Sequence, residues 1–229
     1  MKYEIIMFDA DETLFDFEKS ERVALQNTML EFNIDYDETY HLEVYKHIND
    51  VIWKELEEGL ITQEKLKIER FKRFLAALNL SLDETKFAQA YMRHLSNASF
   101  LYADSVQLIE SLQKEYRLVI ITNGLKDVQN KRVKKSIIGK YFEDIIISEE
   151  VNVSKPNPKI FELALKNMNH TDKSKVLMVG DSLTSDIRGG INFGIDTCWF
   201  NQNNSQNKTK LKATYEISNL MELKIMLEK

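Results

Sequence analysis

Asp9 and Asp11 stand one residue apart at the end of the apolar run Ile5-Ile6-Met7-Phe8. Carboxylates this close repel one another unless a proton or a cation separates them. A hard divalent ion such as Mg²⁺, held by one or two carboxylates plus substrate phosphate oxygens, meets that need. Three later clusters carry complementary groups. Thr122-Asn123-Gly124 follows the apolar residues 118–121, and Lys155 sits in Ser154-Lys155-Pro156-Asn157-Pro158, which holds both prolines of the chain. Gly180-Asp181-Ser182-Leu183-Thr184-Ser185-Asp186 follows the apolar residues 176–179.

Phosphoryl transfer needs a nucleophile, a metal to neutralise oxygens, donors for the remaining charge and a proton donor for the leaving group. Asp9 suits the nucleophile and a metal ligand. Asp181 completes the metal site, and Asp186 holds a coordinated water. Thr122 offers a hydroxyl, Asn123 and Gly124 offer backbone N–H groups, and Lys155 supplies fixed positive charge. Asp11 suits a general acid that then becomes a general base. Singly, each has an ordinary reading: Thr122 a strand-end hydroxyl, Lys155 a surface lysine, Asp186 a helix-start carboxylate. The whole set, in order and each after an apolar run, argues for a site.

The elements that must position these residues are short apolar runs: 5–8, 118–121, 145–147, 176–179 and 197–200. Each is rich in β-branched or aromatic residues and ends in a polar cluster, which reads as a buried parallel strand. Helical stripes lie between them: Val106, Ile109 and Leu112, then Ile160, Leu163 and Ala164, with Asn157 as N-cap and Pro158 at the first helical position. Strand–helix alternation predicts a doubly wound, right-handed α/β parallel sheet. All the candidate residues then share the carboxyl edge, where such sheets place ligands.

One interval breaks the rhythm. From Asp9 to Thr122 the chain runs through roughly 110 residues, where a βαβ unit needs about thirty. The excess is helical in pattern. Leu42, Tyr45, Asn49, Ile52 and Leu56 mark one face, with polar Asn49 as its exception. Leu66, Phe71, Phe74, Leu75 and Leu78 mark a second, and Phe87, Tyr91 and Leu95 a third, after a cap at Ser81 or Asp83. We read 17–95 as an inserted all-helical cap domain, placed to act as a lid, and 1–16 with 96–229 as the α/β core.

Bulk properties narrow the partners. At 43% hydrophobic and 29% charged residues the balance is that of an ordinary globular protein. The net charge of −5 argues against a nucleic-acid polymer as partner. A single cysteine, Cys198, excludes an internal disulfide and points to the cytoplasm, with the thiol as a small core residue. The N-terminus lacks a signal-peptide pattern, and apolar runs such as 74–78 are too short to span a membrane. Asn201 to Lys208 is polar and low in complexity, a flexible surface loop. Lys131, Arg132, Lys134 and Lys135 read as a solvated helix face. His41, His47, His94 and His170 lack metal-ligand spacing. Trp53, Tyr91 and Phe100 are aromatics for core packing, or for stacking on a base.

The motifs together resemble the haloacid dehalogenase (HAD) superfamily of phosphatases over nearly the whole chain. That family's Asp-x-Asp-x-Thr is here Asp9-Ala10-Asp11-Glu12-Thr13, its Thr or Ser after a strand is Thr122, its Lys is Lys155, and its acidic pair after Gly is Asp181 and Asp186. The resemblance implies an aspartyl-phosphate on Asp9. It implies Mg²⁺ on Asp9, Asp181 and the main-chain carbonyl of Asp11, and a helical cap between the first two motifs. Longer strings, Ile121-Thr122-Asn123-Gly124, Ile147-Ser148-Glu149-Glu150-Val151, the run 180–190 and Gly194-Ile195-Asp196-Thr197-Cys198-Trp199, are similar to the pyrimidine nucleotidase branch. The branch implies a small-molecule substrate: a pyrimidine nucleoside 5′-monophosphate such as dUMP, UMP or dTMP. Those strings lie in the core, whereas a cap selects substrate, so a sugar phosphate or phosphoglycolate stays open as the ester. So does oligomeric state, monomer or dimer.

Rival readings separate on particular residues. Dehalogenases of the superfamily lack an acid at the Asp11 position, so Asp11 favours a phosphatase over a 2-haloacid dehalogenase. A phosphonatase needs a desolvated cap lysine, for which Lys54 and Lys65 are the candidates. A phosphorylated receiver domain would order its acids differently and carry no insertion. A non-catalytic phosphate-binding protein finds no support, because no expected catalytic position is missing.

Overall fold

The computed structural model describes residues 2–228. Strand β1 (Ile5–Phe8) leads into four helices: α1 (Phe17–Glu31), α2 (Glu38–Glu57), α3 (Gln63–Ala77) and α4 (Glu84–Asn97). Then come α5 (Ser105–Leu112), β2 (Arg117–Thr122), α6 (Lys126–Arg132), β3 (Asp144–Ile147) and the short α7 (Ser148–Val151). The chain continues with α8 (Pro158–Asn167), β4 (Val176–Gly180), a π-helical turn at Leu183–Ile187, α9 (Arg188–Phe193), β5 (Asp196–Phe200), β6 (Tyr215–Ile217) and α10 (Leu220–Leu227). It divides into two compact units, Met1–Phe17 with Ser99–Lys229, and Glu18–Ala98.

In the first unit six strands form one sheet in the order β3-β2-β1-β4-β5-β6, every pair parallel. Strand alternation builds two cores. Ile6, Phe8, Leu118, Ile120, Leu177 and Val179 pack with Leu108, Ile109 and Leu112 of α5 and Leu220 and Leu223 of α10. Ile5, Met7, Val119, Ile121, Val176 and Met178 pack with Ile160, Phe161, Ala164 and Leu165 of α8 and Phe193 of α9. Both faces are covered, which is why the strands read as unbroken apolar runs. Asn157 caps α8, its side chain accepting from the Lys159 N–H, with Pro158 in the first turn. From β1 the chain steps outward through β2 to β3, then crosses back to β4 on the other side of β1. Central β1 is therefore the switch point, where a crevice opens at the carboxyl edge.

The sequence reading did not foresee β6. Its three residues, Tyr215-Glu216-Ile217, are too few and too mixed to stand out, and they pair only at the sheet's edge. The polar stretch 201–208 is a surface loop, but Asn201 is buried and ties it down. Its side chain donates to the Ser205 carbonyl and accepts from the Ser205 N–H. Cys198 is buried, and burial pushes its thiol up to about 12, so it is an inert core residue. Among the described residues no helix is long and apolar enough to cross a membrane.

The second unit is helical. Tyr45, Phe71, Phe74, Phe87 and Tyr91 form its aromatic centre, the Phe71 and Tyr91 rings 4.8 Å apart. Tyr91 is a buried core residue, and Lys54 and Lys65 are exposed, so neither lysine is the desolvated amine a Schiff base needs. Asn49 interrupts its apolar face for a reason. It is buried, donates to Glu21 Oε1 at 3.1 Å and accepts from Arg70 Nη1 at 2.8 Å. Arg70 in turn lies over the Phe71 and Tyr91 rings.

Burial pushes the Glu21 carboxyl up to about 7, against the pull of Arg70 and Lys46 and with Asp50 adding to the rise. Between its ordinary value of 4.5 and about 7 the unfolded chain has released this proton and the folded chain has not. Stability from this group is therefore full below the lower value and falls as pH rises through the window. Glu21→Gln is expected to match the wild type near the acid end and to exceed it by on the order of 2 kcal/mol above the upper end. Urea midpoints across that range check it, and a constant gap between the two proteins would contradict it.

Candidate active site

The carboxyl ends of β1, β2 and β4 and the loop before α8 bring Asp9, Asn123, Lys155 and Asp186 into contact and set Asp181 beside them. Asp9 leaves β1 with its N–H bonded to the Val179 carbonyl at 2.9 Å, which fixes it beside β4. Lys155 is buried rather than at the surface, and its ammonium has three acceptors: Asp9 Oδ1, Asp186 Oδ1 at 2.7 Å and the Ile121 carbonyl at 2.6 Å. Three N–H donors thus meet three acceptors. The lysine acts as fixed charge between two carboxylates. Burial disfavours that charge, but Asp186 and Asp9 outweigh burial and hold the ammonium above its ordinary pKa.

Asn123 sets the lysine's loop. Its side chain donates to the Lys155 carbonyl at 2.9 Å and accepts from the Lys155 N–H at 2.8 Å. Thr122 is buried at the end of β2, and its hydroxyl oxygen accepts from the Gly124 N–H at 3.1 Å and from Gln129 Nε2 at 2.9 Å. With both acceptor directions filled, the hydroxyl keeps its proton to donate.

Asp186 is fully buried, not a solvated helix-start carboxylate, and its Oδ2 accepts from the Ser182 N–H at 3.0 Å. A Cβ at Gly180 would overlap that carboxylate. Gly180→Ala is accordingly expected to cost about 1–3 kcal/mol of stability and to lower turnover by displacing Asp186 from Lys155. Thermal unfolding and steady-state assays check this, and an unchanged midpoint with unchanged turnover would contradict it.

Asp9, Asp181 and Asp186 each offer an oxygen within 4.8 Å of the others. Burial pushes Asp9 up to about 7 despite Lys155. Burial, then the Asp186 and Asp9 charges, push Asp181 well above the carboxylate range. Three clustered carboxylates face one ammonium, and the donors are all hard oxygens. That set fits a divalent cation such as Mg²⁺. Thr13 supports Asp181, accepting from its N–H at 3.1 Å. The Asp181 carbonyl accepts from Trp199 Nε1 at 2.7 Å. Beside Asp181 a cavity of about 630 Å³ is lined by Leu183, Thr184, Trp199, Ser205 and Lys208.

The Asp11 carboxylate lies outside this cluster. Glu12, in the left-handed region at φ 57°, turns the chain sharply so that its N–H bonds to the Phe15 carbonyl. Asp11 Oδ2 then accepts from Gln129 Nε2 at 2.7 Å, and Oδ1 pairs with Arg132 Nη2. This corrects the reading of the basic run 131–135. Lys131, Lys134 and Lys135 are exposed, but Arg132 is fully buried. Burial lowers its guanidinium to about 9, opposed by the Asp9 charge, so it stays protonated at neutral pH. The signal was in the spacing: Leu125, Val128, Gln129, Arg132 and Val133 share one helical stripe whose apolar members face the core.

The chain matches the haloacid dehalogenase-like hydrolase family over residues 3–194. It is 35% identical over 227 residues to the pyrimidine 5′-nucleotidase YjjG of Escherichia coli, covering 99% of each. It is 34% identical over 230 residues to the pyrimidine 5′-nucleotidase PynA of Streptococcus pneumoniae, covering 100% of this chain and 97% of PynA. A crystal structure of the HAD-hydrolase YfnB of Bacillus subtilis, with magnesium bound, aligns over all of both chains with a TM-score of 0.93 at 33% identity.

Proposed function

Because the chain belongs to the haloacid dehalogenase-like hydrolases, we propose that it is a Mg²⁺-dependent cytoplasmic phosphatase that hydrolyses pyrimidine nucleoside 5′-monophosphates through a phosphoryl group carried on Asp9. The observation that carries the chemistry is the buried Asp9 carboxylate, bound to Lys155 among further carboxylates, with the Thr122 hydroxyl held ready to donate. The full-length likeness to YjjG and PynA supports the substrate class.

A carboxylate oxygen of Asp9 attacks phosphorus in line, and the bond to the ribose 5′-oxygen breaks. Asp11 gives its proton to that departing oxygen. Asp11, now a carboxylate, takes a proton from water as the water attacks phosphorus. The bond from Asp9 to phosphorus breaks, and inorganic phosphate leaves with Asp9 restored. The Thr122 hydroxyl and the Asn123 N–H hold the phosphoryl oxygens, the Gly124 N–H orients Thr122, and Lys155 keeps Asp9 aimed. Asp9, Asp181 and the main-chain carbonyl of Asp11 would hold Mg²⁺, with Asp186 behind them. Bound there, the ion offsets the charge of the carboxylates and phosphate oxygens.

Phosphate release from a panel of nucleoside and sugar monophosphates, with Mg²⁺ and with EDTA, tests the assignment. Release that favours dUMP, UMP or dTMP and stops with EDTA is expected. A preference for a sugar phosphate or phosphoglycolate would overturn the substrate class and keep the mechanism. Release undiminished by EDTA would overturn the metal.

A further inference from the structure

Arg132 is the largest buried charge near the site with no part in the chemistry above. Its guanidinium lies over the rings of Phe15 and Phe17, 5.2 and 5.1 Å from their centroids. Its carbonyl accepts from the Ser99 hydroxyl at 2.7 Å. Phe17 and Ser99 are the residues where the chain leaves and re-enters this unit, so both crossings touch Arg132. Yet its Nε and Nη1 are buried without a hydrogen-bond partner. An arginine placed for stability alone would satisfy those groups, since leaving them unmet is unfavourable. What the burial does achieve is contact with Asp11.

We propose that Arg132 and Gln129 form a clamp that positions Asp11, a role that rests on Asp11 being the general acid and base. Gln129 Nε2 donates to Oδ2 of Asp11, and the Arg132 guanidinium stands against Oδ1 as its ion-pair partner. The clamp closes on itself, because Arg132 Nη2 also reaches Gln129 Oε1 at 3.4 Å. A hydrogen bond on one oxygen and a cation against the other restrict rotation about the side chain's last bond, which otherwise turns freely. The same Gln129 amide bonds to the Thr122 hydroxyl, so one side chain sets both the proton carrier and a phosphate donor. Cation–π contact with the two rings supports the guanidinium beside Asp11. Both are positioning residues: neither needs to touch substrate.

Leaving-group dependence distinguishes this from general damage. The nucleoside 5′-oxygen of dUMP needs a proton as it departs, whereas the phenolate of dinitrophenyl phosphate does not. The kcat/KM value reports the steps up to that departure. Arg132→Gln is expected to lower kcat/KM for dUMP by about 10–100-fold, and for dinitrophenyl phosphate by less than about threefold. Asp11→Asn is expected to show the same split, larger, at about 10²–10⁴-fold on dUMP. Equal losses on both esters, or no loss on either, would overturn the clamp if Asp11→Asn shows its split. An Asp11→Asn variant without the split would overturn the acid role of Asp11 and the clamp with it. Arg132→Lys carries the test if Arg132→Gln does not fold.

Discussion

Asp9→Asn is expected to abolish turnover and leave the fold intact. The nucleophile must carry a negative charge that an amide lacks, and nucleophile replacements in covalent enzymes lower kcat by about 10⁴-fold or more. The fold survives because the charge at this position is no gift to stability. Burial pushes the Asp9 carboxyl up to about 7 in spite of Lys155. Removing that charge still leaves Lys155 paired with Asp186 at 2.7 Å and bonded to the Ile121 carbonyl. The expected result is a thermal midpoint equal to or above that of the wild type, with phosphate release at background. Appreciable release from this variant would end the covalent mechanism.

Lys155→Met is expected to damage both stability and activity. The ammonium is almost wholly buried between Asp9 and Asp186, themselves buried. Methionine fills much of the space and offers no charge, so two carboxylates face each other without a cation. Breaking a buried pair from one side costs about 3–5 kcal/mol. Losing the charge beside the reacting carboxylate lowers turnover by about 10²–10³-fold. Adding Asp186→Asn should return part of the stability, because it removes the repulsion, and none of the turnover. Chemical denaturation and steady-state assays of the single and double variants check both halves. A Lys155→Met protein as stable and as active as wild type would contradict the arrangement.

The elements with one periodicity and one environment were readable in the sequence. Strands β1 to β5 declare themselves because both faces of the sheet are covered and nearly every residue in each run is apolar. Asn157-Pro158 announced α8 because a cap and a fixed φ are local properties. The motif residues were readable because each follows such a strand. What escaped depends on packing over distance. Arg132 looked like one more lysine-type charge until Phe15, Phe17 and Asp11 enclosed it. Gln129 carried no chemical signature by itself. Asn49 was visible as a break in an apolar face, but its partners, Glu21 and Arg70, lie 28 and 21 residues away along the chain. Strand β6 is made by its neighbour β5 and not by its own three residues.

Acid quench of the enzyme during turnover of dUMP labelled in its phosphate tests the chemistry at Asp9 most directly. A covalent path predicts label on the protein, confined to the peptide that contains Asp9, released by hydroxylamine and absent from Asp9→Asn. Phosphate release at full rate with no label on any carboxylate, and with Asp9→Asn still turning over, would contradict it.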